Sequence, residues 1–180
     1  MQDTYELSVA GLKRDLPICP INDKVSIAAF IMFSDVELTI ACAAELGRIV
    51  PEHDVLLTAE SKGIPLAYEM SRQSGKKYIL ARKSAKLYMY NPVAVDVKSI
   101  TTANLQTLYL DAHDMDYLKG KRVLVVDDVI STGESLNAME ELVRKAGGNV
   151  VGRAAVLAEG DAARRDDILF LAPLPVFVKE

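Results

Sequence analysis

Cysteine is scarce in this chain, and its scarcity excludes two classes of small protein. Cys19 and Cys42 are the two cysteines among 180 residues, and neither belongs to a CxxC or Cys/His pattern. A disulfide framework or a zinc site is therefore not expected. We predict two buried free thiols in a reducing cytosol.

An excess of basic charge and a long hydrophobic run are also missing. Lys and Arg number 21 against 25 Asp and Glu, so the formal net charge is −4. Nucleic acids and acidic membranes select basic surfaces, and neither is an expected partner. The longest uncharged apolar run, Val25 to Ser34, is too short to span a bilayer, and the N-terminus does not resemble a signal peptide. We expect a soluble, cytoplasmic protein.

The chain does contain a regular alternation of apolar runs and helical patterns, within a length that suits one domain. Continuous apolar runs predict buried strands at Asp54–Ala59, Lys77–Arg82 and Arg122–Asp128. Helical patterns run from Ser34 to Gly47, from Ile64 to Ser74 and from Glu134 to Gly148, the first with Ser34 and Glu37 at capping-box spacing. Strands that alternate with helices predict an α/β fold with a doubly wound, mainly parallel sheet.

Three polar loops follow three of the predicted strands. They are Glu60–Gly63, Arg82–Lys86 and Asp127–Ser135. In an open parallel sheet, ligands bind outside the carboxyl ends of the strands, where such loops meet. We therefore expect the three loops to form one ligand site.

The stretch "VLVVDDVISTGES", from Val123 to Ser135, combines two carboxylates with a small polar loop before a helix. Unpaired backbone N–H groups, the helix dipole and hydroxyl donors favour an anion at such a helix start. Ionised Asp127 and Asp128 would repel that anion, but as pure acceptors they suit sugar hydroxyls or a magnesium-bound ligand. A ribose 5-phosphate group satisfies both halves of the pattern.

Other interpretations of this stretch fit less well. The loop lacks the G-x-x-x-x-G-K-[ST] pattern of a P-loop. In bacterial receiver domains a similar acidic pair lies near the start of the chain, whereas Asp127 lies far along this one. An acidic strand end followed by a capped helix explains a lone Asp pair but not the whole thirteen-residue pattern.

The same stretch resembles the phosphoribosyl-pyrophosphate (PRPP) signature of the type I phosphoribosyltransferases. The resemblance implies the fold of that family, with Asp127 and Asp128 on the ribose hydroxyls. It also implies a 5-phosphate loop made of Ser131, Thr132, Gly133, Glu134 and Ser135.

The other two loops resemble the same family. "LLTAESKGIPLA" is similar to its pyrophosphate loop in the form found in relatives of adenine phosphoribosyltransferase, and "LARKSAKLYM" is similar to its basic segment. The resemblance implies further PRPP-binding residues, namely Glu60, Ser61, Lys62, Gly63, Arg82, Lys83 and Lys86. Lys86 joins Asp127 and Asp128 as a predicted catalytic residue.

The segment "LKRDLPICPI" resembles the entrance of the hood that covers the purine in adenine enzymes. The resemblance implies one domain over residues 1–180, with a hood made of about 1–33 and 160–180. The implied base-binding residues are Leu12, Lys13, Arg14 and Ile130. Lys13 stands where adenine enzymes usually place an aromatic residue, and a plain surface lysine is the open alternative.

The implied reaction is displacement of pyrophosphate from PRPP by a purine nitrogen. Mg²⁺ would be held mainly through PRPP and not by direct protein ligands, and a homodimer is implied. The predicted lid, about Leu87 to Leu105, departs from adenine enzymes because no carboxylate lies between Asp96 and Asp111. Gln106 is the nearest substitute, and an amide cannot act as a general base.

This lid is more similar to those of xanthine phosphoribosyltransferases and purine repressors of the same fold. Adenine is the first choice of base, and xanthine, guanine and hypoxanthine stay open. A PRPP-binding regulatory protein without catalysis is the alternative from another class, and an orotate-type enzyme is a third possibility.

Overall fold

The computed structural model describes residues 3–97 and 106–178. In chain order its elements are β1 (Thr4–Val9), β2 (Leu12–Pro20), β3 (Val25–Ala28), α1 (Val36–Ile49), β4 (Val55–Ala59), α2 (Ile64–Ser74), β5 (Lys77–Ala81), β6 (Val93–Val97), β7 (Gln106–Leu110), α3 (Ala112–Leu118), β8 (Arg122–Ile130), α4 (Glu134–Ala146), β9 (Asn149–Glu159), a 3-10 helix (Gly160–Arg164), β10 (Leu169–Leu174) and β11 (Val176–Val178).

A five-stranded parallel sheet in the order β10-β9-β8-β4-β5 forms the centre of the molecule. All five residues of β4 are buried, as expected for a strand covered on both faces. One face packs against α4 through Leu136 and Met139, and the other against α1 and α2 through Leu38 and Leu66. The predicted doubly wound α/β fold is confirmed.

A second, antiparallel sheet has the order β1-β2-β3-β11. Leu7, Val9 and Leu16 from this sheet are buried in the same core cluster as α1, so their burial ties it to the central sheet. The sheet is built from the two ends of the chain, for which the sequence suggested a hood. That role, like the single-domain boundary, stays a prediction.

A two-stranded hairpin, β6-β7, continues from the basic segment after β5. Arg82 and Tyr109 exchange backbone hydrogen bonds of 2.9 and 2.8 Å, which fasten the hairpin to the end of β5. The tip of the predicted lid, 98–105, lies outside the described residues, as does the side chain of Gln106. In the described part of the chain, no helix is long and apolar enough to cross a membrane.

Several local expectations were wrong. The N-cap of α1 is Asp35 and not Ser34, because the Asp35 carboxylate accepts a 3.1 Å hydrogen bond from the Leu38 N–H. Cys42 is buried, but Cys19 is only partly so. The strands β1, β2, β3 and β10 and the helix α3 had not been predicted.

Candidate active site

The three polar loops meet at the carboxyl edge of the central sheet, as the sequence predicts. They follow β8, β4 and β5, which are adjacent parallel strands. Lys62 Nζ lies 3.5 Å from Asp128 Oδ2, and the Lys83 N–H donates a 2.9 Å hydrogen bond to Glu60 Oε2. Both contacts join a loop to its neighbour, so the loops form one continuous site.

The two carboxylates lie within β8, which extends to Ile130 and not to Asp128 as predicted. Consecutive strand residues point to opposite faces, so the pair divides between the two sides of the sheet. The Asp128 N–H donates to Asp127 Oδ1 at 2.9 Å. Burial and the neighbouring charge of Asp128 raise the pKa of Asp127 to about 8.

Asp128 is almost completely buried, with 2% of its surface exposed. Within the described part of the chain, its Oδ2 receives no hydrogen bond. Its nearest cation, Lys62, is half-exposed and approaches from the loop after β4. A buried acceptor without a donor is costly, which makes Asp128 a strong candidate for a ligand contact.

Close approach of the chain requires glycine at position 63. A Cβ added to Gly63 would lie 2.5 Å from Thr58 Oγ1 and 2.9 Å from Asp127 Oδ1. The loop also contains a cis peptide bond between Glu60 and Ser61. Gly63 thus lets the turn before α2 press directly on the end of β8.

Glu60 is an acid within a loop that is predicted to bind pyrophosphate, and its contacts give it a structural role there. Its carboxylate accepts from the Lys83 N–H, and its Oε1 lies 3.6 Å from Arg82 Nη2. The hydrogen bond from Lys83, together with the Arg82 charge, holds the pKa of Glu60 below its usual range. Glu60 therefore positions the basic loop, in which Lys86 Nζ donates to Ser84 Oγ at 2.7 Å.

The loop 131–135 curves around a cavity of about 200 Å³ at the start of α4. Gly133 is the N-cap and has a φ of +82°, a left-handed conformation that glycine adopts without a steric penalty. Asp127 and Ile130 also line this cavity. Hydroxyls, backbone N–H groups and the helix dipole make it suitable for an anion.

The predicted base-binding residues divide between two places. Ile130 is at the cavity, whereas Leu12, Lys13 and Arg14 lie on β2 of the second sheet. Lys13 is exposed and pairs with Glu6, which favours the surface interpretation. The Arg14 guanidinium is held by two acids at the start of α1, Asp35 at 2.7 Å and Glu37 at 2.8 Å. Their role in base binding stays a prediction.

The structure adds two charged residues that the sequence had not singled out. Arg165 Nη1 lies 2.7 Å from the position that a Cβ of Gly133 would occupy. Glu159 ends β9 beside β8 and is partly buried, and burial raises its pKa while the Lys62 charge opposes that shift. Neither residue belongs to a recognisable local sequence motif. The strand order of the folded sheet brings both of them to the site.

Protein side chains do not form a ready-made metal cage in the described ranges. Among residues 3–97 and 106–178, no three or more His, Cys, Asp or Glu side chains gather at metal-binding distances. The acidic pair supplies oxygen acceptors of the type that Mg²⁺ prefers, but too few to hold the ion alone.

Comparisons with known proteins agree on one family for this chain. The phosphoribosyl transferase domain model matches residues 40–173. Adenine phosphoribosyltransferase from Rhodococcus jostii is 36% identical over 127 residues, which cover 70% of this chain and 69% of the relative. Hypoxanthine/guanine phosphoribosyltransferase from Methanococcus voltae is 33% identical over 144 residues, with 80% and 71% covered.

A probable purine biosynthesis transcriptional regulator from Streptococcus pneumoniae is 26% identical over 81% of this chain, and the match covers 54% of that protein. The crystal structure of adenine phosphoribosyltransferase from Thermoanaerobacter pseudethanolicus has the same fold, with a TM-score of 0.64 at 21% identity over 77% of this chain and 80% of that one. The resemblance drawn from the sequence is confirmed, and the chain belongs to the phosphoribosyl transferase family.

Proposed function

We propose that this chain transfers the 5-phosphoribosyl group from PRPP to a purine base, with adenine favoured, and releases pyrophosphate in purine salvage. The observation that carries the proposal is the convergence of three loops at one sheet edge. An acidic pair lies between a polar loop at a helix start and a loop with several cations. PRPP requires these three kinds of surface, with its ribose hydroxyls between the 5-phosphate and the pyrophosphate.

In this proposal the loop 131–135 binds the 5-phosphate through its backbone N–H groups and hydroxyls. Asp127 and Asp128 accept hydrogen bonds from the ribose hydroxyls. Because Asp128 is buried and its Oδ2 lacks a donor in the described part of the chain, a ribose hydroxyl there would satisfy it.

The pyrophosphate leaves from the side of the two loops that follow β4 and β5. Lys62 and Lys86 stabilise its growing negative charge, together with Arg82 and Lys83. Because the fold already places these cations, their side chains need to move little when the bond between pyrophosphate and the anomeric carbon breaks. Glu60 contributes by holding the basic loop in position.

Magnesium is part of the proposal as a partner of PRPP. The ion would be held mainly by pyrophosphate and ribose oxygens, with Asp127 and Asp128 nearby as further oxygen acceptors. When bound, it neutralises pyrophosphate charge as a Lewis acid. The cationic side chains of the protein hold the same pyrophosphate group in one orientation.

The choice of a purine rests on relatives and not on the base site. An adenine enzyme and a hypoxanthine/guanine enzyme are both among the similar proteins. Guanine, hypoxanthine and xanthine are therefore the alternative candidate bases after adenine. A PRPP-binding regulator without catalysis is the second candidate. The similar regulator from Streptococcus pneumoniae and the absence of a carboxylate between Asp96 and Asp111 favour it.

The decisive experiment offers the purified protein PRPP, Mg²⁺ and each of the four purines in turn, and measures pyrophosphate release. Release with one base supports the enzyme and identifies its substrate. PRPP binding by calorimetry without release from any base supports the regulator. Absence of PRPP binding, or its survival in Asp127→Asn/Asp128→Asn, would show that the site is misassigned.

The assembly and the cellular location belong to the same proposal. We infer a homodimer, as the family resemblance implies, and a cytoplasmic location. Sedimentation equilibrium of the full chain tests the first part, and a mass of one chain at micromolar concentration would contradict it.

A further inference from the structure

Arg165 packs against the loop that we assign to the 5-phosphate. It follows the 3-10 helix after β9, which is the neighbour of β8 in the central sheet. Its Nη1 lies 2.7 Å from the position that a Cβ of Gly133 would take, and its Cζ lies 3.9 Å from the same point. The guanidinium therefore occupies the space that a side chain at position 133 would need.

The guanidinium is held in this position by a forked ion pair. Arg165 Nε donates to Asp167 Oδ1 at 2.8 Å, and Nη2 donates to Asp167 Oδ2 at 2.7 Å. The fork uses one edge of the planar group and leaves Nη1 for the side that faces Gly133.

A neighbouring arginine shows what an ordinary surface pair looks like here. Arg164 lies 3.3 Å from Asp161, and both side chains are more than four-fifths exposed, at 86% and 94%. The Arg165 side chain is 30% exposed and has a bidentate partner. Arg165 is thus more buried and more firmly paired than Arg164, which is an ordinary solvent-exposed surface charge.

We propose that Arg165 is a positioning residue for the 5-phosphate of PRPP, acting through the loop around Gly133. The inference rests on the proposed function and deepens it. The guanidinium supports Gly133 in its left-handed conformation, and its fixed charge adds to the helix dipole that favours a phosphate dianion. Asp167 sets the orientation of the group by holding its other edge.

The test compares Arg165→Gln with Arg164→Gln, which removes the same charge one residue away. Calorimetry measures binding of PRPP, ribose 5-phosphate and pyrophosphate, the last two as probes of the two halves of the site. We expect Arg165→Gln to weaken the binding of PRPP and of ribose 5-phosphate by about tenfold, because the loop loses both its support and a nearby positive charge. Pyrophosphate affinity should stay unchanged in both variants.

A turnover measurement separates positioning from a structural role. The KM for PRPP should rise in Arg165→Gln while kcat stays near that of the unsubstituted chain, and Arg165→Lys should recover part of the affinity. Asp167→Asn, which keeps the arginine but loosens its fork, should also weaken ribose 5-phosphate. This second variant keeps the test decisive if Arg165→Gln does not fold.

The outcomes distinguish the two proposals. If the unsubstituted chain binds no PRPP, the proposed function is wrong. If it binds PRPP, but Arg165→Gln and Asp167→Asn match Arg164→Gln for ribose 5-phosphate, this inference alone is overturned. Equal losses for ribose 5-phosphate and pyrophosphate would also contradict it, because they would indicate a general loss of structure.

Discussion

The ammonium nitrogen of Lys62 lies 3.5 Å from Oδ2 of Asp128 and joins the loop after β4 to the end of β8. Asp128 is buried, whereas the Lys62 side chain is half-exposed, so the lysine reaches inward from the surface to a carboxylate that cannot reach water. Such a pair balances charge in the free protein, and in our proposal it places a cation between ribose and pyrophosphate.

Replacing Lys62 with Met should destabilise the protein and weaken pyrophosphate binding. The change leaves the buried Asp128 without its cation, and we expect a loss of about 1 kcal/mol in the free energy of unfolding, reduced by the exposure of Lys62. Urea titration at neutral pH measures the loss. Lys24→Met, at an exposed lysine in the turn between β2 and β3 and outside the site, is the control; an equal effect of both variants would contradict the prediction.

The raised pKa of Asp127 predicts a pH dependence of stability. An unfolded Asp loses its proton near pH 4, whereas the folded carboxyl keeps its proton up to about pH 8. The free energy of unfolding should therefore fall as pH rises through this window. Asp127→Asn cannot ionise, so at pH 8 it should be more stable than the unsubstituted chain by on the order of 2 kcal/mol, with the gap closing toward pH 4.

Asp54→Asn provides the opposite control for that experiment. The Arg122 side chain donates to Asp54 and holds the pKa of that carboxyl well below its usual range. This stabilisation is present at neutral pH and is lost as pH falls through the folded pKa, so Asp54→Asn should be less stable than the unsubstituted chain near pH 7. If both variants shifted stability in the same direction at pH 8, the assignment of the Asp127 shift would be wrong.

Gly63→Ala should disrupt the site, because its Cβ would overlap Thr58 Oγ1 and approach Asp127 Oδ1. We expect a loss of about 1–3 kcal/mol in unfolding free energy and a large loss of PRPP affinity. Gly47→Ala is the matched control. Gly47 lies within α1, and apart from its chain neighbours and the backbone of its own helix no heavy atom lies within 4 Å of its Cβ position, so alanine there should stabilise the helix by about 0.5–1 kcal/mol.

Lys86→Ala should reduce turnover much more than stability. Lys86 donates to Ser84 within its own loop, so the fold loses little with it, whereas the leaving pyrophosphate loses a cation. Initial rates with the active base, beside urea midpoints, measure the two effects. Lys24→Ala, a charge removal in the turn between β2 and β3, is the control, and a rate for Lys86→Ala equal to that of Lys24→Ala would show that Lys86 is only a surface residue.

The sequence by itself determined the strands β4, β5 and β8 of the central sheet and the residue types of each loop. Runs such as Val123–Val126 and the amphipathic pattern of α4 are local, and so is the order of the residues in the loop 131–135. Local patterns also placed the three loops after strands, and parallel strands have their carboxyl ends at one edge. The convergence of Lys62, Glu60 and Asp128 could therefore be predicted before their distances were known.

Only the tertiary structure decided which charges meet across distant segments. The strand order brings Arg165 to Gly133 and Glu159 to the edge occupied by Lys62, although no pattern in their own neighbourhoods indicates it. It likewise ties Arg14 to Asp35, where the sequence had suggested a base contact. The physical reason is that such contacts depend on how the elements pack together, whereas the sequence patterns report only the preference of each segment for burial and backbone conformation.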